Sequence, residues 1–260
     1  MQMLEKIFEE TAVRVAQDKQ QYPLAKIENE RLFAEPERLE ESFRPGEINI
    51  ISEIKYGSPS KGRIFDPQVI APVEVANQYV ANGAKALSIL TEPKYFLGSY
   101  EYLMDARRAN PRIPILMKDF YFDPYQIYFA RYIGANIALL LVRYLDEVQL
   151  RDFHDLATEL GMSALVEVHD ERELETAIKI GAKVIGVNNR NLDTLKVDLE
   201  TARSLYRQIP DGVIKICESG IYQRAEIDAF RDIGYDGFLI GTSLMQDGHP
   251  GQALKALIKG

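Results

Sequence analysis

Gly134-Ala135-Asn136-Ile137-Ala138-Leu139-Leu140-Leu141-Val142 begins with a glycine lead and runs straight into an unbroken aliphatic stretch. The same Gly-Ala-x lead precedes an apolar run at Gly83-Ala84-Lys85 and at Gly181-Ala182-Lys183, and Gly234-Tyr235-Asp236 imitates it. Glycine just past a helix takes the left-handed conformation that ends it, after which the chain enters a strand. Between these points lie further strand-like runs: Ile48 to Ile54, Ile113 to Met117, Ser163 to Val168 and Val213 to Cys217. The result is eight runs spaced roughly 20 to 37 residues apart, the size of strand-helix units. They are nearly continuous in Ile, Leu and Val, as parallel strands covered on both faces are. Helical periodicity fills the gaps, as in Pro72 to Ala81, Leu145 to Leu160, Glu171 to Ile180, Leu199 to Gln208 and Ala225 to Ile233. The expected fold is therefore α/β, a (β/α)8 TIM barrel. The rival, a doubly wound open sheet, normally has fewer strands and a glycine-rich first turn, and no GxGxxG occurs here.

Residues 1 to about 45 stand outside the repeat. Leu4, Ile7, Phe8, Ala12 and Val15 recur at helical spacing, and a polar, proline-punctuated stretch follows to Pro45. They read as an N-terminal helical extension over one mouth of the barrel, with residues 46–260 forming the barrel and 1–260 a single domain. A net charge of −8 argues against a general nucleic-acid binder while leaving room for a local phosphate pocket. The one cysteine, Cys217, suits a reducing compartment and reads as a small core residue. The histidines at 154, 169 and 249 have no zinc spacing, so no metal is expected. No secretory leader and no membrane span is legible, and the expected location is cytoplasmic.

Ionisable residues at the C-terminal ends of the runs carry the functional signal. A charge ending a buried strand is costly unless it faces a shared cavity, and a (β/α)8 barrel has such a cavity where the strand ends converge. Glu53 and Lys55 alternate onto one side of the first strand, where they can pair. The Gly57-Ser58-Pro59-Ser60-Lys61-Gly62 segment after them reads as a mobile loop offering hydroxyls and backbone N–H groups. Lys118 ends Pro114-Ile115-Leu116-Met117, and burial there is expected to lower its pKa toward acid catalysis or Schiff-base formation. Glu167 ends Ala164-Leu165-Val166 and reads as a general base or as a salt-bridge partner for a barrel lysine. Asn188-Asn189-Arg190-Asn191 reads as a hydrogen-bonding wall with Arg190 suited to an anion, although Asn also favours turns for local reasons. Glu218-Ser219-Gly220 and Gly241-Thr242-Ser243 end the last two strands, the usual place for a phosphate held by backbone N–H groups.

Several of these motifs together resemble the indole-3-glycerol phosphate synthase family. They are Glu53-Ile54-Lys55 with Ser58-Pro59-Ser60-Lys61-Gly62, Lys94-Tyr95-Phe96-Leu97-Gly98-Ser99, and Lys118-Asp119-Phe120 with Asp123-Pro124-Tyr125-Gln126. Val166-Glu167-Val168, Asn188-Asn189-Arg190-Asn191-Leu192 and Glu218-Ser219-Gly220-Ile221 complete the set. The resemblance runs from the extension to Met245. It implies a cofactor-free carboxy-lyase of tryptophan biosynthesis that closes 1-(2-carboxyphenylamino)-1-deoxyribulose 5-phosphate to indole-3-glycerol phosphate, releasing CO2 and water. It implies Lys118 as general acid, Glu167 as base or charge stabiliser, and Glu53 and Lys55 in support. Ser58, Gly220, Gly241 and Thr242 would hold the phosphate with help from Lys55, and Asn188 and Arg190 the anthranilate carboxylate. Phe96 and Leu192 would form the slot for the aromatic ring, and Glu218 and Ser219 would line the site. Tyr56 and Gly57 depart from the family's usual residues, which is expected to loosen the first loop.

Two other readings stay open. One is a Schiff-base aldolase or sugar-phosphate isomerase with Lys118 as nucleophile. The other is a non-catalytic subunit that binds a phosphometabolite. The expected partner is a small phosphorylated substrate, with no nucleic acid and no membrane. The expected state is a monomer, with weak association to other tryptophan-pathway enzymes as the alternative.

Overall fold

Each aliphatic run forms a strand, and every barrel strand lies parallel to its neighbours in a computed structural model that describes residues 2–260, with side chains from residue 4. The barrel strands are β1 (Asn49–Ile54), β4 (Ala86–Leu90), β5 (Ile115–Lys118), β6 (Ile137–Leu141), β7 (Ser163–Val168), β8 (Val184–Asn188), β9 (Ile214–Glu218) and β10 (Gly237–Ile240). A short antiparallel hairpin, β2 (Gly57–Ser58) and β3 (Gly62–Arg63), interrupts the series after β1. The ring order β1-β10-β9-β8-β7-β6-β5-β4 closes on itself, with Ile51 opposite both Leu239 and Ala86. Closure leaves no open sheet edge, which excludes the doubly wound alternative. β1, β6 and β7 are buried at every position, because barrel interior and helical layer cover opposite faces of the same strand.

The helices α1 (Gln2–Gln21), α2 (Leu24–Ile27) and α3 (Leu39–Ser42) precede the barrel. Around it lie α4 (Pro72–Ala81), α5 (Tyr100–Ala109), α6 (Tyr125–Tyr132), α7 (Glu147–Glu159), α8 (Glu171–Lys179), α9 (Glu200–Tyr206), α10 (Arg224–Ile233), α11 (Thr242–Met245) and α12 (Pro250–Lys259). The glycine lead does what its position predicts. Gly134 has φ 107°, and a Cβ there would lie 2.8 Å from both Arg107 Cγ and Phe33 Cδ2, so only glycine fits. Asp146 and Asp170 start α7 and α8 by accepting the N–H groups of Gln149 and Glu173. The fourth run stops one residue early: β6 ends at Leu141, and Val142–Tyr144 is a 3-10 turn.

The extension reaches further than one mouth. The buried stripe of α1 is Leu4, Ile7, Thr11, Val15 and Asp18; Ala12 faces solvent, and Thr11 takes the inward position expected for it. Phe8 lies 5.4 Å from the Phe120 ring and 4.8 Å from Tyr144, over the C-terminal end of the barrel. Arg14 ties α1 down by pairing with Asp119 (2.6 Å) and donating to the Thr91 carbonyl (3.1 Å). The chain then passes α6, where Leu32 N–H donates to Tyr132 O, and reaches the opposite end. There Asn136 Nδ2 donates to Glu37 O (2.7 Å), and Phe43 fills the space that a side chain at Gly237 would need. Among the described residues no helix is long and apolar enough to cross a membrane.

Candidate active site

Alternation brings the charges together. Every second residue of a barrel strand points inward, so the last inward positions of β1, β5, β7 and β9 place Glu53, Lys118, Glu167 and Glu218 around one axis. Lys118 Nζ lies 3.2 Å from Glu218 Oε2 and 3.4 Å from Glu167 Oε2. Lys55 Nζ lies 2.6 Å from Glu53 Oε1, and Ser88 in β4 donates to the other oxygen of Glu53 (3.4 Å). Asn188, which ends β8, donates to Glu167 Oε1 at 2.8 Å. All of these groups except Ser88 line one cavity of about 230 Å³ at the C-terminal mouth, with Leu4 and Ile7 of α1 at its edge.

Glycine makes the convergence possible at two places. A Cβ on Gly186 would stand 2.0 Å from Glu218 Oε1, and one on Gly241 would stand 2.4 Å from Glu53 Oε1. Neither carboxylate could keep its place beside a larger neighbour. On the last two loops, Ser219 (φ 63°) and Gly220 (φ 86°) bend the chain after β9, and Ser243 Oγ donates to Ile221 O at 2.8 Å, joining the two loops. The aromatic wall has its own brace: Glu92 accepts the N–H groups of Lys94, Tyr95 and Phe96, which sets the Phe96 ring 6.0 Å from Phe120.

The electrostatics differ from the expectation for Lys118. Burial alone pushes its pKa down, but Glu218, Glu167 and Glu53 together outweigh burial and raise it well above the ordinary lysine value. The ammonium is therefore held in its charged form. Burial also opposes ionisation of Glu53, yet Lys55 and Lys118 hold that carboxyl below its usual range. Glu167 is held low against burial by Lys118, His169 and Asn188. Glu218 goes the other way: burial and the Glu167 charge push it up more than Lys118 draws it down. Of the two carboxyls on Lys118, Glu167 is the anion and Glu218 keeps its proton longer.

The family profile described as indole-3-glycerol phosphate synthase matches residues 4–257. The chain belongs to the indole-3-glycerol phosphate synthase family. A member from Salinibacter ruber is 40% identical over 259 residues, covering 99% of this chain and 95% of its own length. Another, from Ruminiclostridium cellulolyticum, is 41% identical over 258 residues and covers 98% of each chain. A 3-hexulose-6-phosphate synthase aligns with a TM-score of 0.64 at 16% identity, over 82% of this chain and 99% of its own. A chain of the tryptophan synthase complex of Pyrococcus furiosus aligns at 0.61 and 14% identity, over 84% and 100%. Those two likenesses show the barrel fold alone.

Every site residue named from the indole-3-glycerol phosphate synthase resemblance lines the cavity: Glu53, Lys55, Ser58, Phe96, Lys118, Glu167, Asn188, Arg190, Leu192, Glu218, Ser219, Gly220, Gly241 and Thr242. The polar wall after β8 is thinner than expected. Asn189 turns outward, donating to Glu218 O and Ser219 O and accepting from Ala202 N–H, while Asn191 caps its own turn by accepting from Asp193 and Thr194. Arg190 lines the cavity but donates to Leu195 O (2.9 Å). The first loop is not loosened by its unusual residues. Tyr56 is buried and donates to Ile70 O (2.9 Å), and Gly57 N–H donates to Phe96 O (3.1 Å). Cys217 sits behind the site as expected; burial pushes its thiol up to about 12. Among the described residues no cluster of His, Cys, Asp and Glu could hold a metal ion.

Sequence reasoning missed two groups. Asp119 beside Lys118 is the buried anchor for Arg14, and also accepts from the Thr91 hydroxyl. His169 stands two residues after Glu167 and on the same side of the strand, a spacing that could have drawn attention to it. Its Nε2 is 3.3 Å from Glu167 Oε1.

Proposed function

We propose that the cavity closes 1-(2-carboxyphenylamino)-1-deoxyribulose 5-phosphate to indole-3-glycerol phosphate, with loss of CO2 and water. The observation that carries this reading is Lys118 Nζ within 3.4 Å of both Glu167 and Glu218 at the base of the cavity. The ring carbon bearing the carboxylate attacks the ketose C2 carbon, and Lys118 donates a hydrogen bond and then a proton to the carbonyl oxygen. The alkoxide forming there is a stronger base than any neighbouring side chain, so a lysine with a raised pKa can still deliver its proton. The C–CO2 bond then breaks, returning its electron pair to the ring. Glu167, held as a carboxylate, takes the proton from the former C1 carbon, while the protonated Glu218 or Lys118 gives a proton to the departing hydroxyl.

Binding roles follow the lining. The linked loops at Gly220 and at Gly241–Thr242 offer backbone N–H groups to the phosphate, with Ser58 and Lys55 beside them. Asn188 and Arg190 face the substrate carboxylate, and Phe96 and Leu192 flank its ring. A flat apolar body with anionic groups at its two ends fits a cavity of about 230 Å³. The Schiff-base alternative needs a neutral amine at Lys118, and its raised pKa disfavours one. The full chain would act as one domain, residues 1–260, as a cytoplasmic monomer without a cofactor, and any association with other enzymes of the pathway would be weak.

The test is to mix the protein with the carboxyphenylamino ketose and follow indole fluorescence. Growth of that signal with release of CO2 is expected. A covalent adduct on Lys118 after borohydride treatment, without indole formation, would overturn the reading in favour of the aldolase.

A further inference from the structure

His169 lies between two carboxylates that belong to different elements. Its Nδ1 is 2.9 Å from Glu173 Oε2 in the first turn of α8, and its own backbone N–H donates to that same oxygen at 2.8 Å. Its Nε2 is 3.3 Å from Glu167 Oε1, an ion-pair contact without hydrogen-bond geometry. The ring is only 5% exposed. A neutral imidazole carries one N–H and one bare lone pair. With an acceptor on each side, the neutral ring must turn a lone pair toward one of the two carboxylates, whereas the imidazolium offers a proton to both.

We propose that His169 is a positioning residue: charged and clasped by Glu173, it holds Glu167 as an oriented carboxylate with one oxygen free to face Lys118. This deepens the ring-closure reading and rests on it where turnover is concerned. The two oxygens of Glu167 divide the work. Oε1 receives Asn188 and faces His169, and Oε2 faces Lys118 and the cavity.

The charged and titratable groups around the ring favour its protonated form. They are Glu167 near the end of β7 and Glu173 on α8. Lys118 stands on the far side of Glu167. Burial lowers the imidazole pKa, but Glu167 and Glu173 overcome that and raise it to about 9. Asp170 completes the clasp from behind, accepting the Glu173 N–H (2.9 Å) as the N-cap of α8.

Two measurements test this. In the substrate-free protein, imidazole NMR signals can be followed with pH and the His169 signal assigned by its loss in His169→Asn, since the chain has three histidines. A midpoint near 9 is expected, and a midpoint at or below the ordinary 6.5 overturns the charged clasp. In steady-state kinetics, His169→Asn and His169→Gln should lower kcat by about 10- to 100-fold with little change in KM, as groups that orient a catalytic side chain do. They should also move the acidic limb of the kcat profile to higher pH, because removing a cation raises the pKa of Glu167. Unchanged kcat with an unmoved profile overturns the proposal. If the unmodified protein fails to close the ketose at all, ring closure falls, and the NMR midpoint still decides the state of His169.

Discussion

At the residue scale, Glu167 and Glu218 touch the same ammonium and differ in everything else around them. Glu167 has Asn188 and His169 on its other oxygen, while Glu218 Oε1 is buried without a hydrogen-bond partner. Replacing each by its neutral isostere should therefore have opposite effects on stability. Glu167→Gln strands an imidazolium and a lysine and should lower the urea midpoint. Glu218→Gln supplies the uncharged form that burial already favours there and should leave the midpoint unchanged or raise it near pH 8. Equal losses for the two variants would contradict the assigned charges. Lys118→Ala should lower turnover by about 100-fold or more without altering the circular dichroism spectrum. Lys118→Arg should also fail, since a guanidinium barely gives up its proton. Gly186→Ala forces a methyl onto the Glu218 carboxylate and should cost about 1–3 kcal/mol in chemical denaturation together with most of the activity.

Among the elements, the loops after β9 and β10 act as one unit through the Ser243–Ile221 hydrogen bond. Inorganic phosphate should therefore compete with the substrate, raising KM and leaving kcat unchanged; no effect at high phosphate would remove these loops from the binding site. The parallel strands could be read from the sequence because burial on both faces leaves a strand nothing but aliphatic residues. The catalytic charges could be read because they interrupt that pattern at strand ends. The direction of the Lys118 shift could not, since it depends on how many carboxylates meet it, and those arrive from β1, β7 and β9. His169 stayed hidden for a related reason: its second partner, Glu173, lies on the next helix. The Tyr56–Ile70 contact and the pairing of Gly57 with Arg63 are tertiary and turn effects with no periodic signature.

For the whole molecule, the site makes stability depend on pH in two directions. Glu53 and Glu167 have lowered carboxyl pKa values, so their contribution is present above the unfolded carboxylate range near 4.5 and is lost as pH falls through the folded values. His169 is raised from 6.5 to about 9, so its contribution is complete below 6.5 and is lost as pH rises through 9. From that shift the alkaline loss is about 3 kcal/mol. Thermal melts between pH 6 and 10 should show it, and His169→Asn should flatten the alkaline decline; a parallel decline in both proteins would assign it elsewhere. The path of residues 4–45 bears on how the chain is made. Phe8 settles beside groups as distant as Phe120 and Tyr144, Leu4 and Ile7 line the same cavity as Phe120, and Asn49 bonds to Asp236 O at the seam between the first and last strands. During synthesis on the ribosome, the earliest apolar surface to emerge stays wet until the middle of the polypeptide has followed it. The seam itself cannot form until β10 is out, so a stalled or truncated translation product would carry sticky, half-finished sheet and be a ready client for chaperones.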